Sequence, residues 1–191
     1  MSKNRSNRTG FTLAEVLVTV AIVAILAAVV VPAVTNQITK GDEANIASTV
    51  GSLRTGITAF VTDTRKFPRR ASDLFNAILS TDKDITVTDY GTAAAGRWKG
   101  PYMSGSLGAA DSLPVGLGFV RNTMKDSGFA TSSGYVIATI GGVYTDAAAA
   151  RIDSLIDNGN GLAAGAVRWR TPTAAPALPD SSVKVLLMGS R

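Results

Sequence analysis

The chain has 191 residues, 46% of them apolar, which is enough for one ordinary domain and an additional element. It contains no cysteine and no histidine, so disulfides, thiolate metal sites, cysteine nucleophiles and histidine-based acid–base chemistry are excluded. The formal net charge is +5. Three of its cations, Lys3, Arg5 and Arg8, lie within the first ten residues with no acid among them, and the rest of the chain is near balance at +2. The charge therefore gives no reason to expect a nucleic-acid partner.

Residues 1–10 are polar and basic, and residues 11–31 (FTLAEVLVTVAIVAILAAVVV) are almost wholly apolar. Glu15 is the only charge between Arg8 and Lys40. Twenty-one helical residues span about 31 Å, close to the roughly 30 Å of a bilayer core. Basic residues ahead of the segment predict a cytoplasmic N-terminus and an exported C-terminal part. Three readings fit the segment. It is a signal peptide removed after the apolar run, where Val31-Pro32-Ala33 offers small residues and a mature chain would start near Val34. Or it is an uncleaved anchor holding a binding domain. Or the cut falls before the run, between Gly10 and Phe11, and the apolar helix stays in the mature protein.

Glu15 bears on the choice. A carboxylate in a membrane helix costs roughly 2.5–3.5 kcal/mol on insertion scales and calls for a partner. A cut after Gly10 supplies one, because Phe11 gains a free amine four residues away, in the same subunit or a neighbour. A local explanation also exists: Thr12-Leu13-Ala14-Glu15 has the spacing of a capping box, in which Glu15 satisfies amides of the first helical turn.

Taken together, the basic leader, Gly10, Phe11, Glu15, the apolar run and Pro32 resemble the N-terminus of type IV prepilins and type II secretion pseudopilins. The resemblance covers about 25 residues. It implies a filament subunit rather than an enzyme. Prepilin peptidase would cut after Gly10 and Phe11 would be N-methylated. Glu15 would pair with a neighbouring subunit's amine, and Pro32 would stand at the family's helix-disrupting position. It further implies a precursor in the inner membrane, surrounded by lipid, that an assembly platform feeds into a homopolymer in the periplasm or at the cell surface. Leu13, Val16, Leu17, Val20 and Ile25 are then the candidate packing residues. The implied organisation is a leader (residues 1–10), a transmembrane and assembly helix (11–34) and a pilin-like head (35–191).

Pro32 should kink or locally melt the helix, and Gly41 loosens it further. Beyond it, Ile46, Val50, Leu53, Ile57, Phe60 and Val61 form one apolar stripe. The helix is thus expected from about Phe11 to about Asp63, ending before Phe67-Pro68. Ser72 then caps a short helix carrying Leu74, Phe75, Ile78 and Leu79. Ile85–Thr88 reads as a strand, and residues 91–118 read as a Gly/Ala/Ser-rich loop. Tyr135–Ile140 is a strand ended by Gly141-Gly142. Thr145 caps a helix through Ile156, with Ile152, Leu155 and Ile156 facing inward and Asn158-Gly159 stopping it. Ala166–Trp169 and Val183–Met188 are two further strands, joined irregularly through Pro172, Pro176 and Pro179. The pattern predicts an α+β fold: a long kinked N-terminal helix packed on a small antiparallel sheet, which is also the pilin fold that the resemblance implies.

Two shorter patches agree with it. Trp98-Lys99-Gly100-Pro101-Tyr102 is similar to a W-x-G-P-Y stretch of major pseudopilins, and this patch and the lack of cysteine lean toward the pseudopilus side. The stretch from Ala150 through Gly159 to Arg168 resembles a C-terminal motif of prepilin-type proteins. Three candidate sites remain. Asp153, Asp157, Asn158 and Asn160 are oxygen-bearing neighbours that suit calcium, a ligand that major pseudopilins hold in their C-terminal loop; Asp and Asn beside glycine are also ordinary helix-end residues. Arg65, Lys66, Arg69 and Arg70 form a basic cluster for headgroups or DNA, or simply a solvated turn. Trp98, Tyr102 and Trp169 offer an adhesive surface or core packing.

Overall fold

The computed structural model describes residues 10–116, 118–124, 135–141, 146–161, 165–169 and 183–189. The leader residues Lys3, Arg5 and Arg8, the capping residue Thr145, Gly142 and the three prolines after residue 170 lie outside them. The chain divides into two compact units, Met1–Lys40 and Gly41–Arg191.

The first helix, α1, covers Leu13–Thr64. Its N-terminal part is rich in valine and isoleucine, which are middling helix formers in water. In lipid the balance changes, because a helix is the one open-chain structure that satisfies every backbone amide internally. The helix runs unbroken through Pro32 and Gly41, so the expected melting is absent. Proline removes a single donor, and the neighbouring turns keep theirs. The hydroxyl of Thr35 adds a bond to the Val31 carbonyl at 2.9 Å.

In the second unit, α1 presents Ile46, Val50, Leu53, Ile57 and Phe60, all essentially inaccessible. Burial of such side chains stabilises a fold by about 1.5–3 kcal/mol each. The helix stops at Thr64 for local reasons. Arg65 takes a left-handed conformation (φ 58°), its amide bonds the Val61 carbonyl, and the Arg97 guanidinium donates to the carbonyls of Asp63 and Thr64. These contacts satisfy carbonyls that a helix end leaves without partners.

The connection after α1 departs from expectation at three points. Ala71–Leu74 is one 3₁₀ turn, not a helix reaching Leu79. Asp73 draws in the amides of Arg69 and Arg70, while the Ser72 amide goes to the Asn122 side chain rather than Ser72 acting as a cap. Ile85–Thr88 is a turn, not a strand. Asp84 Oδ1 accepts the amides of Thr86 and Thr88 and the Thr86 hydroxyl, and this wraps the β-branched run around one carboxylate. Residues 91–118 hold a helix, α2 (Gly91–Arg97), and a strand, β1 (Leu113–Val115), which pairs with β2 (Gly118–Val120) in a hairpin.

The remaining elements are β3 (Tyr135–Gly141), α3 (Asp146–Asp157), β4 (Val167–Trp169) and β5 (Val183–Gly189). Among the described residues, five strands join one antiparallel sheet in the order β1-β2-β3-β5-β4. Val120, Ile140, Val167, Val183 and Val185 turn inward and share one core with the α1 stripe. The fold is α+β, a long N-terminal helix with a small antiparallel sheet. On α3 the inner face is Ala149, Ile152 and Asp153, with Ile156 partly covered. Leu155 is 56% exposed, so its expected inward position is wrong by about one residue's rotation of 100°.

Candidate functional site

Gly10, Phe11 and Thr12 precede the first helical residue and are exposed. A side chain at Gly10 would meet nothing within 4 Å, so no packing among the described residues requires glycine there. The capping box is formed. The amide and the hydroxyl of Thr12 each donate to Glu15 Oε2 at 2.9 Å, and the Glu15 amide donates to Thr12 Oγ1 at 3.3 Å. The local reading of Glu15 thus holds within one chain. It leaves the second reading open, because Oε1 accepts no bond among the described residues.

Leu13, Val16, Leu17, Val20 and Ile25 are between 51% and 80% exposed. They belong to a helix long and apolar enough to cross a membrane, with a mean hydropathy of 2.9 over its most apolar 18 residues and none of that window buried. Within its own unit this surface has no cover. A helix apolar all round is stable only in lipid or against other apolar helices.

The acids at the end of α3 do come together. Asp153 Oδ2 accepts the Gly161 amide at 2.9 Å. Asp157 Oδ2 accepts the amides of Ala166 and Val167 and the Asn160 side chain. Gly165, at φ +70°, faces Asp157 and Asn160 so closely that a side chain there would displace theirs as well as strain the backbone. Asp153 Oδ1 and Asp157 Oδ1 are buried without a donor. Burial, then the neighbouring Asp157 carboxylate, pushes the Asp153 carboxyl up. Burial also raises Asp157, but its neighbour Asp153 and the two amides outweigh it and hold Asp157 down. A proton held on the Asp153 carboxyl would give the pair the donor that it lacks. Calcium takes six to eight oxygen ligands. Among the described residues no three carboxylates gather to hold a metal ion, and half of the oxygens of these two are already spent on N–H groups. As described, the cluster is a clasp that ties backbone amides on the way to β4 to the end of α3.

Of the other two candidates, the aromatic set packs into the head, whereas the basic cluster is drawn in at Lys66 and leaves Arg65 and Arg70 exposed. Lys66 pairs with the buried Asp84 at 2.9 Å. Trp98 and Tyr102 stack edge-on against each other, and Tyr102 meets Phe60 of α1 in the same way at 5.5 Å. Trp169 packs against the core. Sequence reasoning missed two polar pairs that fix the head. One is Asp73 with Tyr90; the other is Glu43 of α1 with Arg151 of α3, at 2.7 Å. The signal for the second was an acid inside the apolar stripe's phase, at 43, 46, 50 and 53.

Residues 5–31 match the family model described as the prokaryotic N-terminal methylation motif. The chain is 31% identical over 121 residues to the type IV major fimbrial protein FimA of Dichelobacter nodosus, an alignment covering 62% of this chain and 75% of that protein. The chain belongs to the type IV pilin family. This pilin is also 36% identical over 85 residues to fimbrial protein Q of Moraxella bovis, covering 44% of this chain and 51% of that one. No solved structure matches this pilin. Its relatives are structural fimbrial proteins, and a pilin is a structural subunit, not an enzyme.

Proposed function

We propose that this pilin is made as a membrane precursor, cut between Gly10 and Phe11 by prepilin peptidase, N-methylated at Phe11, and polymerised into a type IV pilus. The observation that carries this is the apolar half of α1, exposed on every side with Glu15 as its only charge. Before assembly, lipid covers it, with the basic leader on the cytoplasmic side of the inner membrane. After extraction by the assembly platform, the helices of other copies cover it. The contact is head-to-tail and does not close, so it propagates.

Glu15 sets the register. Removed from water among apolar helices, its charge is costly unless an amine meets it, and the Phe11 amine of a neighbour is the group that processing creates. Gly10 fits the same reading, because its missing side chain serves no contact among the described residues. The pilus is preferred over the secretion pseudopilus because the relatives named above are fimbrial.

The deciding experiment is the intact mass and N-terminal sequence of the protein from its native membrane. The reading requires a chain beginning at N-methylated Phe11. A start near Val34 makes it a secreted protein, an intact Met1 makes it an anchor, and either result removes the filament proposal.

A further inference from the structure

Two Asn-Gly pairs follow α3 back to back, Asn158-Gly159 and Asn160-Gly161. In such a pair the glycine amide nitrogen can attack the asparagine carboxamide, because no side chain on the glycine hinders the approach. The pairs are alike in sequence, but the fold treats them differently. The Gly161 amide donates to Asp153 Oδ2 at 2.9 Å, and Asp153 is buried. The Asn160 side-chain nitrogen donates to Asp157 Oδ2 at 3.3 Å. Nucleophile and leaving group of the second pair are thus both held by the clasp. At the first pair, Asn158 and Gly159 are exposed, and neither the Asn158 carboxamide nor the Gly159 amide makes a hydrogen bond among the described residues. We propose that Asn158 is a site of spontaneous deamidation, and that Asp153 and Asp157 confine the reaction to it by protecting Asn160.

The Gly159 amide gives up its proton to solvent base and its nitrogen bonds to Asn158 Cγ. The C–N bond of the carboxamide breaks, and the departing NH2 takes up a proton and leaves as ammonia. Water then opens the cyclic imide at either carbonyl, leaving aspartate or isoaspartate at position 158. The net change consumes one water and releases one ammonia, with no oxidant, reductant or cofactor. The same steps at the second pair require the Gly161 amide to leave Asp153 and the Asn160 carboxamide to leave Asp157 first. The product carries a new carboxylate at the C-terminal end of α3, next to Asp157, where the helix dipole disfavours it. Deamidation therefore loosens the end of α3.

The test incubates the full-length chain in detergent at mildly alkaline pH, folded and urea-unfolded in parallel. Peptide mass spectrometry follows aspartate and isoaspartate at positions 158 and 160 over time. Unfolded, the two sites are expected to react at similar rates. Folded, Asn158 is expected to react about tenfold faster than Asn160, the ratio that two modest hydrogen bonds supply. Asn158→Gln, which must close a larger and slower ring, is expected to remove most of the conversion from the folded chain. Equal rates at the two sites of the folded chain, a faster Asn160, or no conversion of Asn158 over the time that converts both sites in urea overturns the proposal. A ratio that persists unchanged in urea does so too, because local sequence and not the clasp would then set it. The chemistry needs neither processing nor polymerisation, so its failure leaves the filament reading untouched.

Discussion

The Tyr90 hydroxyl donates to Asp73 Oδ2 at 2.9 Å, on the same oxygen that accepts the amides of Arg69 and Arg70. Trp98 closes over the same residue by donating its indole N–H to the Asp73 carbonyl at 3.1 Å. One buried acid thus ties together the end of the α1 connection, the segment entering α2 and the segment leaving it. Burial pushes the Asp73 carboxyl up despite these donors, and burial with the adjacent Asp73 charge pushes the Tyr90 hydroxyl up.

Tyr90→Phe is therefore expected to cost about 1–3 kcal/mol, because the acid stays buried with a donor missing. Asp73→Asn keeps an acceptor oxygen and removes the charge. A raised carboxyl contributes stability that is present below about pH 3.9 and fades as pH rises through the folded-state value. Thermal unfolding of the detergent-solubilised chain from pH 3.5 to 7 should show Asp73→Asn gaining on the wild type as pH rises. A constant gap between the two proteins across that range contradicts the assignment.

Two glycines of α1 make opposite predictions for one substitution. A Cβ at Gly56 would stand 2.9 Å from Met103 Cγ and 3.1 Å from the Tyr102 carbonyl oxygen. That backbone cannot yield easily, since the Tyr102 amide is bonded to Leu74 and its hydroxyl to Asp63. A Cβ at Gly51 would meet nothing within 4 Å. Alanine gains up to about 1 kcal/mol of helix propensity at both sites, but overpacking costs about 1–3 kcal/mol at Gly56. Gly51→Ala should raise the unfolding temperature and Gly56→Ala should lower it. The same sign at both positions means that the crossing of residues 102–103 over α1 is looser than described.

The sequence made the long elements legible and the short polar ones illegible, for a physical reason. The α1 stripe, β3 and β5 are written in apolar periodicity, which reads directly as burial. The turn at residues 84–88 reads as a strand because Ile85, Thr86, Val87 and Thr88 have strand propensity, yet the Asp84 side chain offers the amides of Thr86 and Thr88 and the Thr86 hydroxyl a nearer partner than any strand does. Val87 holds a positive φ as a consequence. The N-terminal site was readable in both its parts, the capping box and the uncovered apolar surface. The clasp after α3 was readable as a set of acids but not as a clasp, because its partners are backbone amides, which no sequence displays.

Glu43 is 5% exposed and bonds Arg151 of α3 through one guanidinium nitrogen at 2.7 Å. Removing the arginine strands the buried carboxylate, whereas neutralising the glutamate leaves an acceptor for the arginine. Arg151→Ala is expected to cost about 1–3 kcal/mol and Glu43→Gln distinctly less. Urea unfolding of both variants measures the asymmetry. Equal costs would mean that Arg151 acts through its packing alone.

The clasp predicts an asymmetry between its own two acids. Asp157 is held down and Asp153 is pushed up. The contribution of Asp157 is present above about pH 3.9 and is lost as pH falls through its depressed folded value, whereas that of Asp153 fades as pH rises through its raised one. Asp157→Asn weakens an acceptor that serves two amides and should cost about 1–2 kcal/mol at pH 7. In Asp153→Asn, the amide oxygen can still accept from Gly161 while the amide nitrogen donates toward Asp157, which reproduces the protonated acid. That variant should be as stable as the wild type, or more so, at pH 7, and should lose the advantage on acidification. Hydrogen exchange at the amides of Ala166 and Val167 reports the clasp directly: faster in Asp157→Asn, unchanged or slower in Asp153→Asn. If both variants exchange faster at pH 7, the two carboxylates are held by a partner other than a proton on Asp153, and the clasp as described is wrong.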